Sequence, residues 1–509
     1  MAEHTGDYNE VLYPSYLAVQ CSPDRLAAMA RLKGLTTAPP NRCRMLELGC
    51  GDGASLIAFG YALPGSEFVG VDLAARPVEI GQARVAELGL SNVTLRCADV
   101  MDLDDAYGQF DFIFAHGLFS WVPEPVQVRV LEICRDRLAP NGVVYLSYNA
   151  YPGSYQRNML RAMLQIHTGH ISDPFEKIRQ SMGLINFIRS APVRESPYHQ
   201  FIEMVHGARG KVPPEAFLYD ELGALNQPFF FHEFARLAAG HGLHFLSEAG
   251  FDQTVPLLSE ELKASLNAIG DDVVRFEQYL DFLTGRSFRQ TLLCREEVAL
   301  NRRRHWEALR ELFFAAPVVS LPAEEKDRAG TRRFAALNGR KVAVSDPGAQ
   351  AALDYLGSVW PAIVSFAEIS QVAGVAADGE RQAILGEHML QFAEANLLNL
   401  HAQPFRLSGN ISEKPVASLL ARRQLGERFQ ANLFCEAVKV QDPLGCLVLA
   451  RLDGTRTKAD LVTELGAVLA AQHPESEEAR AHILALRSRL PEEVDKQLKE
   501  IRDLGLLEA

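Results

Sequence analysis

Glu47-Leu48-Gly49-Cys50-Gly51-Asp52-Gly53 is the stretch whose reading decides the fold. It ends a short apolar run, Arg44-Met45-Leu46-Glu47-Leu48, which reads as a buried strand. It precedes an apolar segment over 54–63, which reads as a helix stopped by Pro64-Gly65. Glycines at such a turn let the backbone bend sharply and let a ligand approach without meeting a Cβ. The helix that follows offers unpaired N–H groups and the positive end of its dipole. In dinucleotide-binding folds that position holds pyrophosphate, and Gly49-x-Gly51-x-x-Ala54 fits the permissive form of that fingerprint. Taken alone, the motif leaves the ligand open.

Working outward, further strands are predicted over 67–72, 93–96, 110–115 and 143–147. Helices are predicted over 77–88, closed by Gly89, and over 125–138, ended by Pro140-Asn141-Gly142. This alternation across 41–149 predicts a parallel sheet covered on both faces. Residues 154–240 read as mostly helical, with a loop at 207–214. Two later strands, over 244–247 and 290–294, are separated by a long helical insertion at 260–283 and read as completing the same sheet.

Three acids around the glycines choose among ligands. Glu47 lies inside the first strand, where a carboxylate would repel a pyrophosphate but suit a cationic amino-acid tail. Asp72 ends the second strand, with Leu73 beside it, at the place where a carboxylate holds two ribose hydroxyls. Asp99 follows the third strand, with Val100 beside it, where it can accept a hydrogen bond from an adenine amino group. Each acid alone reads as a solvated turn or helix cap, the better reading for an isolated Asp. Jointly, at matching strand ends, they describe ribose, adenine and a non-phosphate tail, which is S-adenosylmethionine (SAM).

The rest of the sequence narrows the class. At 509 residues, and roughly 150 residues per domain, several structural units are expected. The formal charge of −13 argues against a nucleic-acid partner, whose phosphates need clustered Lys and Arg. The one dense basic run, Arg302-Arg303-Arg304, reads as the solvated face of a helix. The eight cysteines form no CxxC pair, so a zinc ribbon or disulfide framework is not expected. His167/His170 and His241/His244 have helical spacing but no third ligand, so no metal site is expected. The N-terminal stretch to Tyr16 lacks the apolar core of a signal peptide, and no apolar run reaches the about 20 residues needed to span a bilayer. These features predict a cytoplasmic protein without membrane insertion.

The tail differs in texture. Two segments, 348–407 and 443–507, look like winged helices. The first has helices near 351–356, 366–372 and 381–395, then an extended 397–401. The second has Asp453-Gly454-Thr455 ahead of a helix over 458–469, and a terminal helix ending at 504–507. The acidic Glu475-Ser476-Glu477-Glu478 favours protein contact over nucleic acid for this tail.

Across 41–149 the arrangement closely resembles the class I SAM-dependent methyltransferases. That resemblance implies that Gly49, Gly51 and Gly53 line the cofactor's amino-acid portion, that Asp72 binds ribose and that Asp99 binds adenine. The product would be S-adenosylhomocysteine. The late strands fit the antiparallel pair that ends that family's sheet. A narrower resemblance is to bacterial methyltransferases with a regulatory domain, which include lysine methyltransferases of outer-membrane proteins. It is carried by Tyr13-Pro14-Ser15-Tyr16, by 116–123 (HGLFSWVP), by 147–153 (SYNAYPG) and by 288–293 (FRQTLL). It implies a homodimer, and it divides the chain into a SAM-binding core (1–153), a regulatory region with the last two strands (154–300) and two winged-helix-like domains (301–420 and 421–509).

Methyl transfer is an in-line displacement in which positioning dominates. Ligands of open α/β sheets sit beyond the carboxyl ends of the strands. His116 to Trp121 and Tyr148-Asn149 follow the fourth and fifth strands, so they are expected to border the methyl. Tyr148, Trp121 and Tyr13 or Tyr16 are candidates for an aromatic wall that holds an amine by cation–π contact. Asn149 could orient the amine, and His116 could accept a proton or bond the cofactor. The bland readings are lid packing for Trp121, an anchored arm for the tyrosines, and core or dimer contact for Phe229-Phe230-Phe231. The first functional reading is a protein lysine methyltransferase. The alternatives are a small-molecule methyltransferase, a SAM-binding regulator without catalysis and, fourth, a nucleic-acid methyltransferase.

Overall fold

The computed structural model describes residues 8–191, 196–209, 213–251, 258–324, 328–405, 407–471 and 476–508. The start of the N-terminal arm, part of the 207–214 loop and Glu475 lie outside the described residues.

Helix α1 (Pro23–Arg31) leads into a seven-stranded sheet of order β3-β2-β1-β4-β5-β7-β6. Its first half alternates β1 (Arg44–Leu48), α2 (Ala54–Ala62), β2 (Glu67–Asp72), α3 (Ala75–Leu88), β3 (Val93–Cys97), β4 (Phe110–Ala115), α4 (Glu124–Arg137) and β5 (Leu138–Asn149). The pairings among β1 to β5 are parallel, and β7 (Phe288–Arg295) runs antiparallel to both β5 and β6 (Leu243–Glu248). β1 is buried on both sides, as its continuous apolar run requires when helices cover both faces.

The end of α4 differs from the sequence reading, with consequences for the site. Pro140-Asn141-Gly142 does not stop a helix and start a strand; β5 has already begun at Leu138. Pairing with β4 jumps from Phe110↔Leu138 to Phe112↔Val143, so these residues form a bulge, where a proline's missing N–H costs no ladder bond. β5 also runs on past Ser147, so Tyr148 and Asn149 are its last residues, paired with Arg289 and Phe288, rather than a loop beyond it.

Between β5 and β6 lie α5 (Ser154–Thr168), α6 (Pro174–Arg189), α7 (Pro197–Arg209), α8 (Pro214–Leu222) and α9 (Phe231–Gly240). The expected single insertion before β7 is two helices, α10 (Glu260–Asn267) and α11 (Val273–Thr284). Gly270, at φ +73°, breaks them, and the Asp272 side chain caps the second.

The basic run at 302–304 is not helical: Arg302 reaches back to the carbonyls of Phe245 and Leu246, and Arg304 pairs with Glu387 and Glu394. Next comes β8 (Phe313–Ala315), then an antiparallel sheet of β9 (Val318–Leu321), β10 (Arg332–Ala336) and β11 (Lys341–Val344), which the sequence reading did not anticipate. α12 (Pro347–Val359), β12 (Val364–Ser365), α13 (Phe366–Val372), α14 (Gly379–Glu394) and β13 (Asn399–His401) follow, with β12 and β13 flanking β8. The last part holds α15 (Leu419–Arg423), β14 (Gln430–Ala431), β15 (Ala437–Val438), α16 (Pro443–Leu449), α17 (Lys458–Ala470), α18 (Glu477–Ser488) and α19 (Leu490–Asp503). α19 stops short of the leucines expected to end it: Gly505 adopts φ +70° and Leu507 bridges to Ala417.

One apolar core is continuous from a face of the central sheet (Met45, Phe112) and Phe59 of α2 through Phe314 to Leu353, Phe366 and Leu400 of the tail. The tail is thus packed against the central sheet rather than tethered to it. Among the described residues, no helix is long and apolar enough to cross a membrane.

Candidate active site

The glycine loop leaves β1 with Gly49, Gly51 and Gly53 at φ +77°, +55° and +68°, a left-handed conformation that side chains resist. The N–H groups of Gly49 and Cys50 bond to the carbonyl of Val71, tying the loop to the end of β2. Asp72 receives the N–H of Gly51 on one carboxylate oxygen and that of Ala74 on the other, both at 2.8 Å. Each oxygen keeps a further lone pair for a hydroxyl. A Cβ placed on Gly51 or on Gly117 would meet no atom within 4 Å, so both loops open onto free space. Leu73, beside Asp72, is 39% exposed. Asp99 caps the turn beginning at Val100 by accepting the N–H of Met101.

Glu47 is 6% exposed, and its Oε2 is buried with no hydrogen-bond partner. Burial, then the charges of Asp72 and Asp52, push its carboxyl well above the usual range. An unpartnered buried carboxyl beside an open glycine loop fits an ammonium group. The donor set therefore suits SAM: a cation partner in Glu47, a backbone cradle in the glycines, and strand-end carboxylates in Asp72 and Asp99.

His116 directly follows β4, with its Nδ1 2.8 Å from the Tyr145 hydroxyl. Burial lowers its pKa to about 4, so the imidazole is neutral at pH 7. Gly117 donates its N–H to the buried Ser147 hydroxyl, which fixes the loop after β4. The Tyr16 ring stacks on the imidazole, and Phe288 meets it edge-on at 6.1 Å. Tyr16 is 51% and Phe288 37% exposed, so these rings form an open rim. The arm carrying Tyr16 is held down at several points. Ser15 donates to Asp52, Ala18 N–H bonds the Ser55 hydroxyl, Tyr219 donates to the Val11 carbonyl, and Arg76 holds the carbonyls of Asn9 and Glu10.

Other candidate positions lie away from this rim. Tyr148 is 1% exposed, stacked on Phe234 at 4.0 Å with its hydroxyl on Thr291. As a strand residue it follows the alternation of β5 into the core, so it lines no open wall. Asn149 is 2% exposed and bonds Ser120 and Asn226. Trp121 carries Arg157 and Arg161 over its ring at 5.8 and 5.2 Å, so this chain's own cations occupy its faces. Tyr13 sits against Tyr219 and Asp220. Phe288 had no assigned role in the sequence reading; only its pairing with Asn149 brings it here. Among the described residues, no group of His, Cys, Asp and Glu could hold a metal ion. A recess of about 740 Å³ lies at the opposite end of the strands, around Pro140, Asn141 and Arg295, far from this chemistry.

A glycine-rich loop after β1, an acid ending β2, another just after β3, and an antiparallel last strand define the class I methyltransferase architecture. Comparisons with known proteins agree. Residues 45–142 match the methyltransferase domain, residues 214–295 the predicted methyltransferase regulatory domain, and residues 413–506 the PKMT C-terminal winged helix domain. The uncharacterized protein RP028 of Rickettsia prowazekii is 34% identical over 232 residues, which are 45% of this chain and 93% of that one. Its RP789 is 32% identical over 350 residues, 67% of this chain; the match spans 62% of RP789's own length. PKMT2 from Rickettsia typhi, solved in complex with AdoHcy, superimposes with a TM-score of 0.85 at 25% identity, over 97% of this chain and 99% of that one. The chain belongs to the SAM-dependent methyltransferases that carry a methyltransferase regulatory domain.

Proposed function

We propose that this chain is a protein lysine N-methyltransferase that uses SAM and releases S-adenosylhomocysteine. The near full-length likeness to PKMT2, which includes the tail as well as the catalytic half, carries this reading. A small-molecule enzyme would not need that tail. SAM, when bound, supplies a methyl on a sulfonium for in-line displacement by a neutral amine. Glu47 would pair with its ammonium, and Gly49, Gly51 and Gly53 would cradle the amino-acid portion. Asp72 and Leu73 would hold the ribose, and Asp99 and Val100 the adenine. Neutral His116 can accept a hydrogen bond from an incoming amine, and the Tyr16 and Phe288 rings offer faces to a cationic one. Asn149, Tyr148 and Trp121, set back from this rim, would act as positioning residues that pack behind it.

The same reading assigns the SAM-binding core to 1–153, the regulatory region to 154–300 and the winged-helix-like domains to 301–420 and 421–509. It includes a homodimer in the cytoplasm. The test is transfer from methyl-labelled SAM into a bacterial lysate split into protein, nucleic-acid and small-molecule fractions. Base-stable label in protein, mapped to lysine, is expected. Label confined to small molecules, or base-labile carboxyl esters, would overturn the reading.

A further inference from the structure

The glycine loop is framed by α2, which follows it, and by α3, which packs across it. Both helices are gripped by the C-terminal region. On α2, the Tyr61 hydroxyl donates to Glu508 at 2.6 Å and accepts the N–H of Leu419 at 2.7 Å. On α3, Gly81 lies so close to the loop that a Cβ there would sit 2.3 Å from the Asp52 carbonyl oxygen. One turn further on, the Arg84 guanidinium gives one nitrogen to Asp52 Oδ2 at 2.8 Å and the other to Glu427 Oε1 at 3.2 Å. Asp52 sits between Gly51 and Gly53 and also accepts the Ser15 hydroxyl of the arm. A charged chain thus runs from the C-terminal region, through α3, into the middle of the cofactor loop.

We propose that Glu427 and Arg84 are positioning residues for SAM, through which the C-terminal winged-helix region holds the glycine loop in its binding conformation. This rests on the SAM-binding reading above. The planar guanidinium can serve two carboxylates at once, in a geometry that a lysine ammonium on a flexible stem does not reproduce. Without Glu427, Arg84 keeps one anchor and the loop loses its tie to the tail. The site then has to order the loop at the moment of binding, and affinity falls.

A second ion pair across the same boundary supplies the control. Arg423 meets Glu87 at 3.3 Å, also on α3, but that contact does not reach the loop. The experiment is calorimetric titration of the full chain with SAM at low and high salt, for the wild type and for Glu427→Gln, Arg84→Lys, the double variant and Arg423→Gln. Thermal melts of each confirm folding. Partly exposed ion pairs contribute modestly, so Glu427→Gln should weaken SAM binding about 2- to 5-fold at low salt and less at high salt. Arg84→Lys should do the same, the double variant should add little, and Arg423→Gln should leave the affinity unchanged. Wild-type affinity in both Glu427→Gln and Arg84→Lys would overturn the proposal. So would an equal loss in Arg423→Gln, which would mark general domain packing instead. A wild type that binds no SAM would overturn the underlying functional reading itself.

Discussion

The Tyr16 ring lies parallel to the His116 imidazole, 5.1 Å between centroids and 5° between planes. The two residues are far apart in sequence and meet only because the N-terminal arm is strapped across the carboxyl edge of the sheet. An exposed aromatic on a neutral imidazole is suited to guiding an amine. Tyr16→Ala should raise KM for a protein substrate several-fold with little change in SAM affinity, while Tyr16→Phe should stay near the wild type. Steady-state kinetics with titrated SAM check this; an equal loss in both variants would mean that the hydroxyl, not the ring, matters.

Glu47 should show opposite effects in the free and bound states. Its unpartnered buried oxygen is costly without ligand, so Glu47→Gln should hold or raise the melting temperature of the free protein. The same change removes a charge-assisted bond worth roughly 1.5–3 kcal/mol, so SAM affinity should fall about 10- to 100-fold. Melts with and without SAM read both effects.

His116 makes stability depend on pH. In the unfolded chain the imidazole takes its proton near the ordinary 6.5, and in the folded protein only near 4. Between those values the unfolded state binds more protons, so stability is intact above about pH 6.5 and declines as pH falls towards 4. The full effect is up to about 3 kcal/mol. Denaturant melts from pH 4 to 7 should show a shallower slope for His116→Asn than for the wild type.

Arg289 is fully buried over Phe231, with Asp281, Glu248 and Glu277 around it. Arg289→Met would strand those carboxylates, and breaking such a buried cluster typically costs about 3–5 kcal/mol. A fall of that size in unfolding free energy is expected; a change below 1 kcal/mol would show that the acids protonate and relax without penalty.

Gly51 and Gly53 should fail differently. An alanine at Gly53 would drive its Cβ to 2.6 Å from Leu95, so Gly53→Ala should destabilise the fold. At Gly51 the Cβ meets only open space, so Gly51→Ala should cost about 1–2 kcal/mol in backbone strain yet obstruct the ligand. SAM titration beside thermal melts separates the two.

The sequence by itself determined the local elements and the cofactor chemistry. β1, β2 and β4 follow directly from mostly apolar runs bounded by glycine and proline, because a strand buried on both faces is apolar except where a polar residue serves the site or the strand end. The glycine loop and its acids were legible because left-handed turns and strand-end carboxylates leave their signature in residue type and spacing. Tertiary structure decided what long-range pairing decides. Tyr148 looks like a polar site residue until the pairing with Arg289 extends β5 and turns its ring into the core. Trp121 looks like a free aromatic until α5 lays two guanidiniums on it. Tyr16, Phe288 and the Glu427–Arg84–Asp52 chain could not be read from spacing, since each joins segments whose proximity is set by sheet order and domain packing.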